Sequence, residues 1–256
     1  MDDGVSLGLA GKRAVVSGAS RGVGRAVALL LARAGADVGV GYRAREAEAA
    51  AVAGEVRALG RRAYAQAGDM STPWGAELLF ERALVEFGGI DLFVGNAGVW
   101  VPDDVPIADL TDEQWRRTVQ QNLDSIFYSV RLASRFLAPN GRIVLVSSTA
   151  AQRGEAFHAD YAATKAAMVA LTKSVAVELA PRGITVNCVA PGWIDTEMVA
   201  KPMAGGGRER IEAQIPLGRV ATAEDVAGPI VFLCSALARH VTGEVLNVNG
   251  GSVLCG

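Results

Sequence analysis

The chain has 256 residues, half of them apolar, with 25 basic and 27 acidic side chains and a formal charge of −2. That balance fits a soluble globular protein with a substantial core, offers no basic surplus for nucleic acid and contains no like-charged tail. Cys188, Cys234 and Cys255 match neither a disulfide framework nor a metal knuckle, and two histidines, His158 and His240, exclude a histidine-rich metal site.

The chain opens on Met1-Asp2-Asp3-Gly4-Val5-Ser6, which is acidic and lacks the basic-then-apolar layout of a secretory signal. No apolar run approaches bilayer length, so a reducing cytoplasm is the expected home. Short β-branched runs at 14–17, 38–42, 63–66, 92–95, 143–147, 185–189 and 245–248 read as strands. Helical periodicity occupies the intervals at about 22–34, 45–59, 73–87, 112–137, 159–180 and 223–236. Regular alternation of this kind predicts an α/β fold of the doubly wound Rossmann type, a seven-stranded parallel sheet with helices on both faces. Ligands of such folds sit at the C-terminal ends of the strands. With no linker or repeat, residues 1–256 are expected to form one domain. The stretch at about 194–216, which includes Gly205-Gly206-Gly207, is irregular and reads as a substrate lid.

The first strand runs into Ser17-Gly18-Ala19-Ser20-Arg21-Gly22-Val23-Gly24, with a helix after it. Glycines there allow a tight turn and let backbone N–H groups and the helix N-terminus approach a pyrophosphate. A close strand-to-helix connection with no ligand would look similar, but the position after strand one favours a dinucleotide. An acidic residue ending the second strand would favour NAD. This chain has Gly41-Tyr42-Arg43-Ala44-Arg45 instead, with no carboxylate before Glu46. Arg21 and Arg43 would clamp a 2′-phosphate, so NADP(H) is expected over NAD(H).

Tyr161 and Lys165 lie four residues apart in a predicted helix and so share a face. A phenol titrates near pKa ~10, and a nearby ammonium lowers that value towards a usable general acid. Taken alone the pair is common and fits a solvated lysine beside a tyrosine. Ser148, thirteen residues upstream at the end of strand five, gives it a chemical setting.

Together these motifs resemble the single-domain short-chain dehydrogenases/reductases along essentially the whole chain. The glycine segment matches the family motif, with Ser17 where threonine is usual. Gly68-Asp69-Met70 resembles the turn that brackets the adenine, and Asn96-Ala97-Gly98 the motif that supports the central sheet. Asn122 matches the helix asparagine of the catalytic tetrad, while Pro191-Gly192, Ile194 and Thr196 match the segment folded over the nicotinamide. The resemblance implies a catalytic set of Asn122, Ser148, Tyr161 and Lys165. It implies that Ser148 and Tyr161 bond the ketone oxygen and that Tyr161 donates the proton. Lys165 would lower the Tyr161 pKa and hold the nicotinamide ribose, and Asn122 would anchor a relay water. It further implies cofactor contacts from Gly18, Ser20, Arg21, Gly22, Val23, Gly24, Tyr42, Arg43, Asp69, Met70, Asn96, Ala97, Gly98, Tyr161, Lys165, Pro191, Gly192, Ile194 and Thr196.

Within the family the pattern looks most like 3-oxoacyl-acyl-carrier-protein reductases, through the 187–198, 216–219 and 243–251 segments. Those segments are shared with sugar, steroid and xenobiotic carbonyl reductases. Leu137-Ala138-Pro139-Asn140 lacks the basic residues that carrier-binding members tend to place there, although Arg182 could meet an acyl carrier protein. His158 could line the pocket mouth but more readily reads as structural or solvated, Trp193 could shape the pocket or simply pack, and Trp100 and Trp115 read as cover for the core. A nucleotide sensor without chemistry and a sugar-nucleotide epimerase remain as alternatives. The intact Ser148-Tyr161-Lys165 set argues against the first, and the short chain after the last strand against the second. Family members usually form tetramers through the two long helices and the last strand. Ala162, Ala163, Ala166, Ala167 and Ala170 would permit close helix packing there.

Overall fold

Seven strands, β1 (Arg13–Val16), β2 (Asp37–Tyr42), β3 (Ala63–Ala67), β4 (Ile90–Gly95), β5 (Leu137–Val146), β6 (Thr185–Pro191) and β7 (Val245–Val248), form one parallel sheet in the order β3-β2-β1-β4-β5-β6-β7. The computed structural model that shows this describes residues 6–255. Residues 1–5, the acidic start set against a secretory signal above, lie outside the described residues. The central strands β4 and β6 are buried along their whole length, as apolar runs covered on both faces must be.

The ten α-helices of the described residues are α1 (Gly22–Arg33), α2 (Glu46–Ala58), α3 (Pro73–Phe87), α4 (Asp112–Val119), α5 (Ser125–Phe136), α6 (Ala150–Arg153), α7 (Ala159–Leu179), α8 (Ala200–Met203), α9 (Gly207–Glu212) and α10 (Ala223–Cys234). One sheet face carries α1, α2 and α10 over a core containing Leu31, Leu92, Val144 and Ile230. The other carries α3, α5 and α7 over a core containing Phe80, Phe93, Ile126, Ile143 and Met168. None of these helices is long and apolar enough to cross a membrane.

The doubly wound seven-stranded expectation is met, and each expected helix and strand has a counterpart. Three stretches differ locally. The expected helix 112–137 is two helices, α4 and α5, joined by a π-helical turn at Gln120–Asp124. Residues 137–140, expected as the end of that helix at Leu137 and a connection before strand five, instead begin β5 across a register shift between Ile90 and Leu92. Asn140 there takes φ 61°, a left-handed value that asparagine tolerates better than most residues. The 194–216 stretch is less irregular than expected, because it holds α8, α9 and a 3₁₀ turn at Glu197–Val199. Gly205 and Gly206, at φ 56° and 79°, break it between the two short helices.

β2 and β3 show how tightly the edge is packed. Gly39 pairs with Tyr64, whose buried hydroxyl donates to the Leu79 carbonyl of α3 at 3.1 Å. A Cβ on Gly39 would fall 2.3 Å from the Tyr64 hydroxyl and 2.4 Å from its Cζ. Gly39→Ala is therefore expected to destabilise the protein by about 1–3 kcal/mol in urea titrations, as overpacking of a core does. An unchanged midpoint would show that Tyr64 can swing aside at no cost.

Candidate active site

The strand order reverses at β1, which has β2 on one side and β4 on the other, and a crevice opens beyond their C-terminal ends. Two side chains stitch that crevice. The Ser17 hydroxyl accepts the N–H groups of Asn96 and Ala97, both at 3.1 Å. The Asn96 amide returns its hydrogens to the Ser17 and Gly18 carbonyls at 3.1 and 3.0 Å. This draws the glycine loop onto Asn96-Ala97-Gly98 so closely that a Cβ on Gly18 would stand 2.9 Å from the Ala97 Cα. Gly18 and Gly22 also take φ 63° and 53°, left-handed values that suit glycine.

A groove of about 720 Å³ runs from this loop across the strand ends to Tyr161 and Lys165. Every residue the resemblance assigned to cofactor contact lines it except Gly24. Gly24 packs behind the loop, where a Cβ would fall 2.3 Å from the Gly18 carbonyl oxygen. The groove fits an extended dinucleotide, with a glycine cradle and the start of α1 at one end and polar hydroxyls at the other. Gly68 donates to the Tyr42 carbonyl at 2.8 Å, and the Asp69 carboxylate accepts from the Ser71 N–H and hydroxyl, so the 68–71 turn is fixed from both sides.

Arg43 lines the groove and takes part in no ion pair among the described residues. Arg21 and Arg45 instead meet on one carboxylate oxygen of Glu197, Arg45 at 3.0 Å. Arg45, not assigned a role from the sequence, is thus the second cation at this end.

At the other end, α7 presents Tyr161 because Asp160 anchors its first turn. The buried Asp160 carboxylate accepts the Tyr161 N–H at 2.9 Å and the Thr118 hydroxyl of α4 at 2.7 Å. Ser148 is the side chain near enough to the Tyr161 phenol to act on its pKa, and both line the groove. Ser148 is held in turn by the Ala150 N–H at 3.1 Å. Lys165 donates to the Val146 carbonyl at 2.9 Å, and the Ser147 hydroxyl donates to the Lys165 carbonyl at 2.8 Å, so β5 and α7 are pinned on both sides of the site. Asn122 is fully buried in the π turn and does not line the groove. Its amide pairs both ways with the main chain of Val99, at 2.7 and 2.9 Å. A methyl group on Gly98 would stand 3.0 Å from Asn122 Oδ1 and 3.4 Å from Lys165 Nζ.

Two wall residues, Trp100 and Glu155, were misread or missed from the sequence. Trp100, read as core cover, lines the groove and meets Trp193 edge-on at 6.1 Å. Glu155 lines the same wall, and burial pushes its carboxyl above the usual range. Nothing in the spacing marks it, because an acid in a loop reads as solvated. His158 lies behind the wall, buried and stacked on Trp100 at 4.8 Å, so it does not line the mouth. Arg182, considered for a carrier contact, has both terminal nitrogens committed to the carbonyls of Ser134 and Leu137. Its role here is to clamp the end of α5.

The electrostatics depart from expectation. Burial raises the Tyr161 phenol to about 12, with a smaller push from Glu155, while the neighbouring Ser148 side chain acts in the lowering direction. Burial lowers the Lys165 ammonium from 10.5 to about 8. The Lys165 nitrogen, 5.7 Å from the Tyr161 ring centre, is turned to Val146 and does not depress the phenol. Below pH 8 the folded protein carries a buried charge that the unfolded chain leaves in water, and this cost fades as pH rises from 8 towards 10.5. Lys165→Met is accordingly expected to stabilise the ligand-free protein at pH 7 by on the order of 2 kcal/mol, with the gain shrinking by pH 10. Thermal unfolding at the two pH values checks this, and a variant less stable at pH 7 would give the Val146 hydrogen bond the larger weight.

A family model described as enoyl-(acyl carrier protein) reductase matches residues 18–252. The chain is 39% identical over 243 residues to the 3-oxoacyl-[acyl-carrier-protein] reductase FabG of Escherichia coli (strain K12), covering 94% of this chain and 97% of that one. It is 40% identical to the L-rhamnose 1-dehydrogenase (NAD(P)(+)) of Sphingomonas sp. (strain SKA58), covering 95% and 96%. Among solved structures, a dehydrogenase/reductase from Sinorhizobium meliloti 1021 superposes with a TM-score of 0.91 at 36% identity, over 97% of this chain and 98% of that one. A short chain dehydrogenase from Burkholderia cenocepacia J2315 in complex with NADP gives 0.89 at 37% identity, over 95% and 98%. With the glycine loop, the Asn96 stitch and the Ser148–Tyr161–Lys165 cluster in one groove, the chain belongs to the short-chain dehydrogenase/reductase family and is an oxidoreductase of that type.

Proposed function

We propose that this protein is an NADPH-dependent carbonyl reductase that converts a 3-oxoacyl thioester or related β-keto substrate to the secondary alcohol. The observation that carries the reading is the placement of Ser148, Tyr161 and Lys165 at one end of a groove whose other end is the glycine loop. The groove residues from Gly18 to Thr196 would hold NADPH, whose chemistry when bound would be hydride donation. Arg21, Arg43 and Arg45 provide the positive charge a 2′-phosphate needs, and no carboxylate ends β2.

Ser148 and Tyr161 direct their hydroxyls at the ketone oxygen, and fixed donors there stabilise the negative charge that develops on it. Tyr161 then gives up its proton. A phenol raised to about 12 is a poor acid until a cation faces it, so Lys165 has to leave the Val146 carbonyl and turn towards Tyr161 in the working complex. The Asn122 amide is committed to Val99, and a relay water linking this residue to Lys165 would have to bind through its other groups. Residues 1–256 act as one domain, and 194–216 is its substrate lid. The Lys201–Asp103 ion pair ties that lid across the groove mouth to the loop after β4.

The FabG relative supports the thioester reading. With Arg182 committed to α5, an acyl carrier protein would have to be met by other residues. A second reading, a hydroxylated ketone or sugar, is favoured by the Glu155 carboxyl in the pocket wall, which would accept a substrate hydroxyl. The protein is also proposed to be a homotetramer. Ala163, Ala166, Ala170 and Val177 expose one face of α7, and Phe127 stands exposed on α5. Ala162 is buried in its own subunit and takes no part, while Ala167 is half-buried.

Rates with NADPH and NADH against acetoacetyl thioesters, a bulky ketone and a free sugar test the reading. NADPH oxidation dependent on the thioester supports it; none with any ketone would leave a nucleotide-binding sensor, and product formed without net cofactor turnover would indicate an epimerase. Tyr161→Phe is expected to keep NADPH binding while kcat falls by roughly 10²–10⁴-fold, the usual weight of a general acid. Near-normal turnover would remove Tyr161 from the reaction. In sedimentation at micromolar concentration a tetramer is expected, and a monomer refutes the assembly.

A further inference from the structure

Glu197 opens the 3₁₀ turn that follows Thr196, at the root of the 194–216 segment. One of its carboxylate oxygens accepts from both Arg21, which precedes α1, and Arg45, which precedes α2. All three residues line the groove. The two arginines come from loops after different strands and converge only on this acceptor. A carboxylate bridging two guanidinium forks at the nucleotide end of the groove has the chemistry of a phosphate monoester, with less charge and fewer oxygens. The side chains of all three are two-fifths to three-fifths exposed, so the bridge is held loosely.

We propose that Glu197 is an internal competitor for the 2′-phosphate of the dinucleotide, setting the preference between NADPH and NADH. The inference rests on the reading of the groove as a nicotinamide dinucleotide site and adds a determinant to it. A 2′-phosphate, carrying close to two charges, takes over the arginines and displaces the carboxylate. A 2′-hydroxyl carries no charge and leaves the bridge in place. Glu197 thus lowers affinity for the phosphorylated cofactor and is neutral towards the other. Because the bridge also ties down the root of the 194–216 segment, the phosphate releases that tie when it binds.

Calorimetric titration of the ligand-free protein with NADPH, NADH, adenosine 2′,5′-bisphosphate and AMP tests this without turnover. Glu197→Gln, a conservative change at an exposed site, is expected to bind NADPH and the bisphosphate about five-fold tighter, with NADH and AMP changed less than about two-fold. In an Arg21→Ala, Arg45→Ala background the same change should have no effect on any of the four ligands. NADPH binding that is unchanged or weaker in Glu197→Gln overturns the proposal, as does equal tightening of NADH or an effect that persists without the arginines. A wild-type protein that binds none of the four ligands overturns both this inference and the dinucleotide reading. Selective tightening in a protein that reduces no ketone leaves the inference standing and removes only the reaction.

Discussion

The stitch between Ser17 and Asn96 is the contact on which the rest of the site depends. A parallel sheet delivers its strand ends to one edge, but it does not by itself bring two loops within van der Waals contact. Here one hydroxyl and one amide exchange four hydrogen bonds across the β1–β4 gap. The glycine loop is thereby fixed relative to Asn96-Ala97-Gly98. The next residue of that loop, Val99, is the one Asn122 grips, and the π turn holding Asn122 lies between α4 and α5. α4 in turn meets Asp160 through Thr118, and Asp160 caps the turn that carries Tyr161. A single path of hydrogen bonds to main-chain and buried groups therefore leads from the nucleotide loop to the phenol. A serine serves as well as a threonine at position 17, because only the hydroxyl is used.

Most of the fold was legible because its signals are local. Alternating β-branched runs and helical periodicity marked every strand and every long helix. What escaped notice depended on residues far apart in sequence. Residues 137–140 carry no strand signal, and they extend β5 because Ile90 offers a partner. In the site, the ordered motifs picked out Ser148, Tyr161 and Lys165, which do line one groove, and all but one of the assigned cofactor-contact residues. Gly24 was placed one layer too far forward, since a glycine needed for close packing looks the same in sequence as one needed for a ligand. Glu155 and Trp100 gave no signal, because a wall is made by where a loop folds back. Arg45 was passed over in favour of Arg43, two residues earlier, because the direction of a side chain after a strand end depends on what it can reach across the groove.

The Tyr161–Lys165 pair shows how a correct pairing can still mislead about charge. Four-residue spacing does put the two on one face. The same burial that makes the site dry works against both charged forms, holding the phenol protonated and weakening the ammonium. The ligand-free arrangement is thus a resting state in which Lys165 is satisfied by a backbone carbonyl. In the proposed reaction the lysine would have to exchange that partner, which would tie acid strength at Tyr161 to occupancy of the groove.

The π turn at Gln120–Asp124 carries a consequence for how this sequence can vary. One additional residue in a helix rotates everything beyond it by about 100°. Ahead of the turn, Thr118 faces α7; beyond it, Ile126 and Val130 face the sheet. Losing a single residue from the turn would swing those two side chains out of the core while leaving α4 undisturbed. The segment therefore sits in the middle of an apparently continuous helix and is nonetheless closed to changes of length, whereas point substitutions along its exposed side remain open.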